Sequence, residues 1–193
     1  EILNQIDKKF EIKSNFFWVD ERCVDPSSVD SNFGSANKYF FSKVNISNNN
    51  IFRIRGEEEP EIEASHYTEL LKTKTETIKN IPSLDLCLLG IGGDGHTASI
   101  FPHELKKLSD KSDCVVGINP DSGQKRVSLS IKQINNSKEV IFHVCGSGKK
   151  DVVDMIISKR DNYLDLPASH ILPKSKNLSW YLDFDSAETF MGT

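Results

Sequence analysis

A chain of 193 residues is long enough to bury one substantial core and short enough to suit a single domain over 1–193. With 24 basic against 28 acidic residues it has a formal net charge of −4, which argues against a nucleic-acid groove as its main business. No apolar run reaches the length of a membrane span and no secretory leader is visible, so the expectation is a cytoplasmic protein that makes no membrane contact. The four cysteines (Cys23, Cys87, Cys114, Cys145) are widely spaced and show no C-x-x-C. That pattern predicts reduced thiols, three of them within apolar strands.

In chain order, Ile2, Leu3, Ile6 and Phe10 are spaced as on one helical face. Residues 15–19 (NFFWV) are aromatic and β-prone, hence a strand. It runs into Asp20, Glu21 and Arg22, and the residues alone leave open whether these are solvated or form part of a site. Asp30 or Ser31 can cap a helix over 32–41. An asparagine-rich loop at 47–50, a short strand at 51–54 and an acidic run at 57–61 follow. Tyr67, Leu70, Leu71 and Ile78 predict a helix over 62–78.

Residues 84–89 form a short apolar run closed by glycine, the signal of a buried strand. Gly90, Gly92, Gly93 and Gly95 then let the backbone turn tightly and approach a ligand. Asp94 and His96, two groups that can carry protons, lie inside that loop. Thr97, Ala98 and Ser99 read as the start of a helix whose first turn ends or kinks at Pro102. A strand end, a glycine loop and a helix N-terminus would make an anion-friendly crevice. The glycines do not stand at G-x-G-x-x-G, and no Gly-Lys-Ser/Thr follows, so neither common nucleotide loop is present.

Beyond a polar stretch at 104–113, a strand is predicted at 114–118 and a turn at 121–125. Arg126 heads an alternating strand over 127–131. A buried strand at 139–145 closes into Gly146, Ser147, Gly148, Lys149 and Lys150, and a helix with Val152, Val153, Met155 and Ile156 follows. Residues 167–173 and 178–182 are expected to finish the sheet. The alternation predicts an open, mostly parallel α/β sheet with helices on both faces. The histidines show no metal-ligand spacing, and His143, in mid-strand, reads as a packing residue. No metal and no cofactor are expected.

The segment from Gly90 to Pro102 resembles the G-x-G-x-D-G-H-T-A-S-x-F-P motif of the 6-phosphogluconolactonases. Trp18, Asp20, Glu21 and Arg22 match that family's W-x-D-E-R, and Asp30, Ser31, Asn32 and Gly34 match its D-S-N-x-G. Further likenesses are Arg53, Gly56 and Glu57, the strand headed by Arg126, Lys149 in G-x-x-K, and Trp180, Leu182 and Asp183 near the end. The related glucosamine-6-phosphate deaminases share the D-G-H core but continue differently.

The resemblance implies the fold of the lactonase–deaminase–ribose-phosphate isomerase group. It also implies hydrolysis of a sugar-phosphate lactone in the oxidative pentose phosphate route. His96 would be the general base and Asp94 its orienting partner. Arg22 would polarise the carbonyl, with Asp20 orienting the substrate. Arg126 and Lys149 would bind phosphate, beside the backbone of Gly92, Gly93 and Gly95. Family members normally begin with a further strand and an S-G-G-S-T-P loop, which is not found before Glu1, so the first β–loop–α unit is expected to be lacking here. Some are fused to glucose-6-phosphate dehydrogenase, so a larger parent polypeptide is one expectation. The rivals are a sugar-phosphate deaminase or isomerase, and a non-catalytic sugar-phosphate-binding domain.

Overall fold

The computed structural model describes residues 11–109 and 111–191. The helix predicted over the first ten residues lies outside them. The first half of the chain holds β1 (Glu11–Ile12), β2 (Phe16–Phe17), β3 (Asp20–Arg22), α1 (Asn32–Tyr39), β4 (Asn45–Ile46) and β5 (Ile51–Phe52). Helix α2 (Pro60–Lys74) leads to β6 (Glu76–Ile78), β7 (Ile81–Ser83) and β8 (Cys87–Leu89). Then come β9 (Cys114–Ile118), β10 (Lys125–Leu129), α3 (Ile131–Ile134), β11 (Val140–Val144), α4 (Lys150–Ile157) and β12 (Leu178–Leu182).

Two three-stranded sheets organise the mixed α/β fold. One is parallel, in the order β12-β11-β8, with Val140 opposite both Cys87 and Leu178. The other is antiparallel, in the order β3-β10-β9, with Arg126 opposite both Arg22 and Gly117. Two further parallel pairs, β1·β4 and β2·β5, and a β6·β7 hairpin complete the pairing.

In the parallel sheet successive side chains alternate between faces. Cys87, Leu89, Val140, Phe142 and Val144 are buried, and Phe142 stacks on Trp180 with ring centroids 4.1 Å apart. The opposite row is open: Leu88 and Tyr181 are each 59% exposed. His143 belongs to that row and is exposed, so the packing role expected of it does not hold. Its register opposite Tyr181 on the outer face is the reason. Cys87 and Cys114 are buried and burial pushes both thiols up to about 12, whereas Cys145, just past β11, is exposed.

Helix α2 starts on Pro60, with Glu61 and Glu63 in its first turn and Lys72 and Lys74 in its last, all favourable to the helix dipole. Ala64, Tyr67 and Leu71, at helical spacing, face the core. The Tyr67 hydroxyl accepts from Trp18 N at 2.7 Å and lies 3.1 Å from the Phe52 carbonyl, tying the helix to β5 and to the link between β2 and β3. The helix stops at Lys74 rather than at 78. Thr75 turns its hydroxyl onto the Leu71 carbonyl at 2.8 Å, and Glu76–Ile78 pairs with β7.

Asp20, Glu21 and Arg22, left open by the residues alone, form a strand of their own because β10 supplies their backbone partners. Two other expectations are corrected. Residues 167–173 do not join a sheet; Pro167–His170 forms a 3-10 turn. The helix predicted from Thr97 does not form. Thr97 Oγ1 donates to the Gly90 carbonyl at 2.9 Å, and Ser99 N donates to Ser128 Oγ at 3.1 Å. These tertiary bonds close a turn from Thr97 to Ile100 with Ala98 in the left-handed region at φ 49°. A 3-10 helix begins only at Pro102.

Glu21 anchors this arrangement. It is 2% exposed, yet both carboxylate oxygens are satisfied. Oε1 accepts from Arg22 N at 2.8 Å and Asn32 N at 2.7 Å; Oε2 accepts from Phe33 N at 2.7 Å and Ser31 Oγ at 3.1 Å. Ser31 is the N-cap of α1, so the carboxylate holds that helix start against β3. Glu21→Ala is expected to lower the free energy of unfolding by about 3 kcal/mol, because it strands several buried donors. Urea denaturation of the two proteins measures the difference.

Candidate active site

The site grows from the end of β8. After Leu89 the chain makes a compact loop in which Gly95 N donates to the Gly92 carbonyl at 3.0 Å and Gly92 N donates to the His96 carbonyl at 2.8 Å. Gly95 has φ 81°, a conformation that side chains with a Cβ disfavour. Gly92 is required for space: a Cβ there would overlap His96 Nδ1 and Asp94 Oδ1.

That space lets Asp94 Oδ1 meet His96 Nδ1 at 2.6 Å and accept from the His96 backbone N–H at 3.1 Å. Partial burial pushes the Asp94 carboxyl up. The hydrogen bonds from the His96 backbone and ring outweigh it, and the net effect holds the carboxyl below its usual range. Asp94 therefore stays ionised into mild acid. Its contribution to stability is complete above the ordinary carboxylate range and is lost as pH falls through the depressed value. An ionised carboxylate only accepts, so Nδ1 carries the proton of this bond, which in the neutral tautomer leaves the lone pair on Nε2. The ring also packs against Phe101, centroids 4.9 Å apart.

Strands β3 and β10 supply the cations. Arg22 and Arg126 are cross-strand neighbours, and among the described residues neither forms an ion pair. Arg22 donates through Nη1 to the Asp30 carbonyl at 2.7 Å. The Nε atoms of both arginines are buried without a hydrogen-bond partner. Partial burial, and then the charge of Arg22, lower the hold of the Arg126 guanidinium on its proton; Asp20 and Asp30 oppose this. Arg126 also lies over the Phe101 ring, 5.7 Å from its centroid.

These groups meet at a cavity of about 260 Å³. Asp20, Arg22, Asn32, His96, Ala98 and Arg126 are among the residues that line it, with Gly90 at the end of β8. A larger void, about 650 Å³, lies between α2 and β9 and shares no lining residue with the first. Two of its lysines, Lys72 and Lys132, are paired with Glu69 and Asp113, and it contains no histidine. The smaller cavity is the candidate site.

The structure thus brings Asp20, Arg22, His96 and Arg126 to one wall-to-wall space, with Asp94 behind the imidazole. Lys149 does not line it; that residue ends a 3-10 turn, Ser147–Lys149. Gly93 passes close to this turn, since a Cβ on it would lie 3.5 Å from the Gly148 carbonyl. Because no helix begins at Thr97, no helix dipole points into the cavity from there. Asn32 and Ala98 were not expected at the site. Asn32 follows the cap of α1 and donates to the Asp20 carbonyl at 2.9 Å, and its place in the D-S-N-x-G segment was the available signal. Among the described residues no cluster of three or more His, Cys, Asp or Glu could hold a metal ion, and no helix is long and apolar enough to cross a membrane.

Gly92→Ala should part the imidazole from Asp94 while leaving the sheets intact. The check is proton NMR: the downfield signal of the carboxylate-bound Nδ1–H is expected to vanish, with the thermal midpoint little changed.

Residues 4–180 match the family model described as glucosamine-6-phosphate isomerases/6-phosphogluconolactonase. A 6-phosphogluconolactonase of Treponema pallidum is 39% identical over 82% of this chain and 66% of its own length. A crystal structure of the devB protein superposes with a TM-score of 0.87 at 40% identity, covering 91% of this chain and 73% of that one. The human GDH/6PGL endoplasmic bifunctional protein is 31% identical over 90% of this chain, which spans only 22% of that longer polypeptide. The chain therefore spans about two thirds of the Treponema relative. With its D-G-H-T-A-S loop, its paired arginines and this likeness, it belongs to the glucosamine-6-phosphate isomerase/6-phosphogluconolactonase family.

Proposed function

We propose that this chain hydrolyses 6-phospho-D-glucono-1,5-lactone to 6-phospho-D-gluconate, in the oxidative branch of the pentose phosphate pathway. The observation that carries the reading is one imidazole, its Nδ1 held by Asp94, sharing a small cavity with two unpaired guanidiniums. A sugar lactone with a phosphate needs a proton acceptor at one point and cations for its negative charge.

His96 Nε2 takes a proton from water as the water oxygen attacks the lactone carbonyl. Asp94 stabilises the imidazolium that forms. Arg22 faces the oxyanion, where a fixed cation in a partly buried site can lower the barrier by about 3 kcal/mol. When the tetrahedral adduct collapses, the bond from carbonyl carbon to ring oxygen breaks. The imidazolium returns its proton to that oxygen, which leaves as a hydroxyl. Asp20 orients the sugar and Arg126 holds the phosphate; Lys149, the other cation the resemblance assigns to phosphate, stands outside the cavity lining. No step calls for a metal or a cofactor. The reaction is set in the cytoplasm, by a unit that stands alone or is joined to a dehydrogenase in a longer polypeptide.

His96→Asn is expected to lower kcat by about a hundredfold or more, measured with freshly made lactone and corrected for its spontaneous hydrolysis. Near-normal turnover would remove the base. Arg126→Ala is expected to raise KM for the phosphorylated lactone by about tenfold or more and to leave the rate with gluconolactone itself nearly unchanged. Equal losses on both would refute the phosphate contact. Incubation with glucosamine 6-phosphate should release no ammonia; release would favour the deaminase reading.

A further inference from the structure

We propose that Ser99 is a positioning residue for this reaction: its hydroxyl fixes the Asp20 carboxylate in the cavity and so sets the spacing between the His96 loop and the arginine-bearing strands. The proposal rests on the lactonase reading above and deepens it.

Ser99 is fully buried. Its Oγ donates to Asp20 Oδ2 at 2.6 Å, a length typical of a hydroxyl on an ionised carboxylate. Its backbone N–H donates to Ser128 Oγ, and Ser128 stands opposite Asp20 in the β3·β10 ladder. The residue is therefore tied to both arginine-bearing strands at once. The third strand of that sheet presses on it as well: a Cβ on Gly117 would overlap the Ser99 carbonyl.

The turn that delivers Ser99 is not a relaxed one. Ala98 takes φ 49°, which disfavours every residue with a Cβ, and it lines the cavity. Ordinary helix, the conformation the local sequence favours, is given up so that Ser99 can face Asp20. Only two residues separate Ser99 from His96, and one of them, Thr97, is pinned to Gly90 at the end of β8. A shift of the hydroxyl therefore moves Asp20 relative to the imidazole. The other side-chain donor to this carboxylate, Asn32, makes a longer contact, 3.4 Å to Oδ1.

The test is a double-mutant cycle in kcat/KM for the phosphorylated lactone, using the unmodified chain, Ser99→Ala, Asp20→Asn and the pair together. Ser99→Ala alone is expected to cost about tenfold, because misplaced groups near a reacting centre lose rate steeply. Added to Asp20→Asn it should cost less than about twofold, since the carboxylate it serves is already gone. Ser99→Thr, which keeps the hydroxyl, should recover most of the loss. Equal losses in both backgrounds, or none in either, would overturn the proposal and leave the lactonase reading standing. An unmodified chain that fails to hydrolyse the lactone would overturn both. Thermal midpoints establish folding. If Ser99→Ala does not fold, Ser99→Cys, close in size but a poor donor, goes through the same cycle with the same expectation.

Discussion

Two guanidiniums placed opposite one another on adjacent strands are the constraint on which this molecule turns. Like charges in cross-strand positions repel, and a surface sheet would separate them or supply carboxylates. Here the register of β10 against β3 fixes Arg126 opposite Arg22, and neither finds an ion pair among the described residues. Their Nε atoms are buried and unmatched. Among the described residues Arg126 is compensated by partial contacts: the face of Phe101 and the field of Asp20 and Asp30. The sheet is assembled in a state that an anion would relieve. That separates this cavity from the larger one, where Lys72 and Lys132 are paired with carboxylates.

The rest of the fold holds that repulsion in place. Glu21, between Asp20 and Arg22 in sequence, points away from the cavity into the start of α1 and spends all its acceptor capacity on backbone and cap donors. Neighbouring residues of one short strand thus divide the work, since alternate side chains face opposite ways. The glycine loop does the corresponding job for the imidazole. It leaves out a Cβ where the ring and Asp94 must fit, and its hydrogen bonds close it on itself. The two halves are joined at Ser99 and Asp20.

Much of this was legible in the residues. The apolar run before Gly90, the α2 face of Tyr67 and Leu71, and the strand headed by Arg126 follow from periodicity and turn chemistry. The motif around His96 located one wall of the cavity. What the residues concealed has a common cause. Thr97 to Ser99 read as a helix start because Thr, Ala and Ser suit one locally; the hydrogen bonds to Gly90 and Ser128 that override it come from distant segments. Asp20 to Arg22 stayed open between solvated residues and a site because their strand partner, β10, is distant in sequence; two of them face a polar cavity and the third a helix start. His143 was misread for want of the face on which its strand would place it.

The link between Asp20 and Ser99, and the ladder between Arg22 and Arg126, join segments far apart along the chain. Contacts of that kind close late, because long loops must be ordered before they bring any gain. During synthesis the segment with Arg22 leaves the ribosome well before β10 exists, so β3 waits without its partner. The anion site proposed for this pair therefore needs β10 to have been made, and a nascent chain that stops short of β10 lacks one of its two cations.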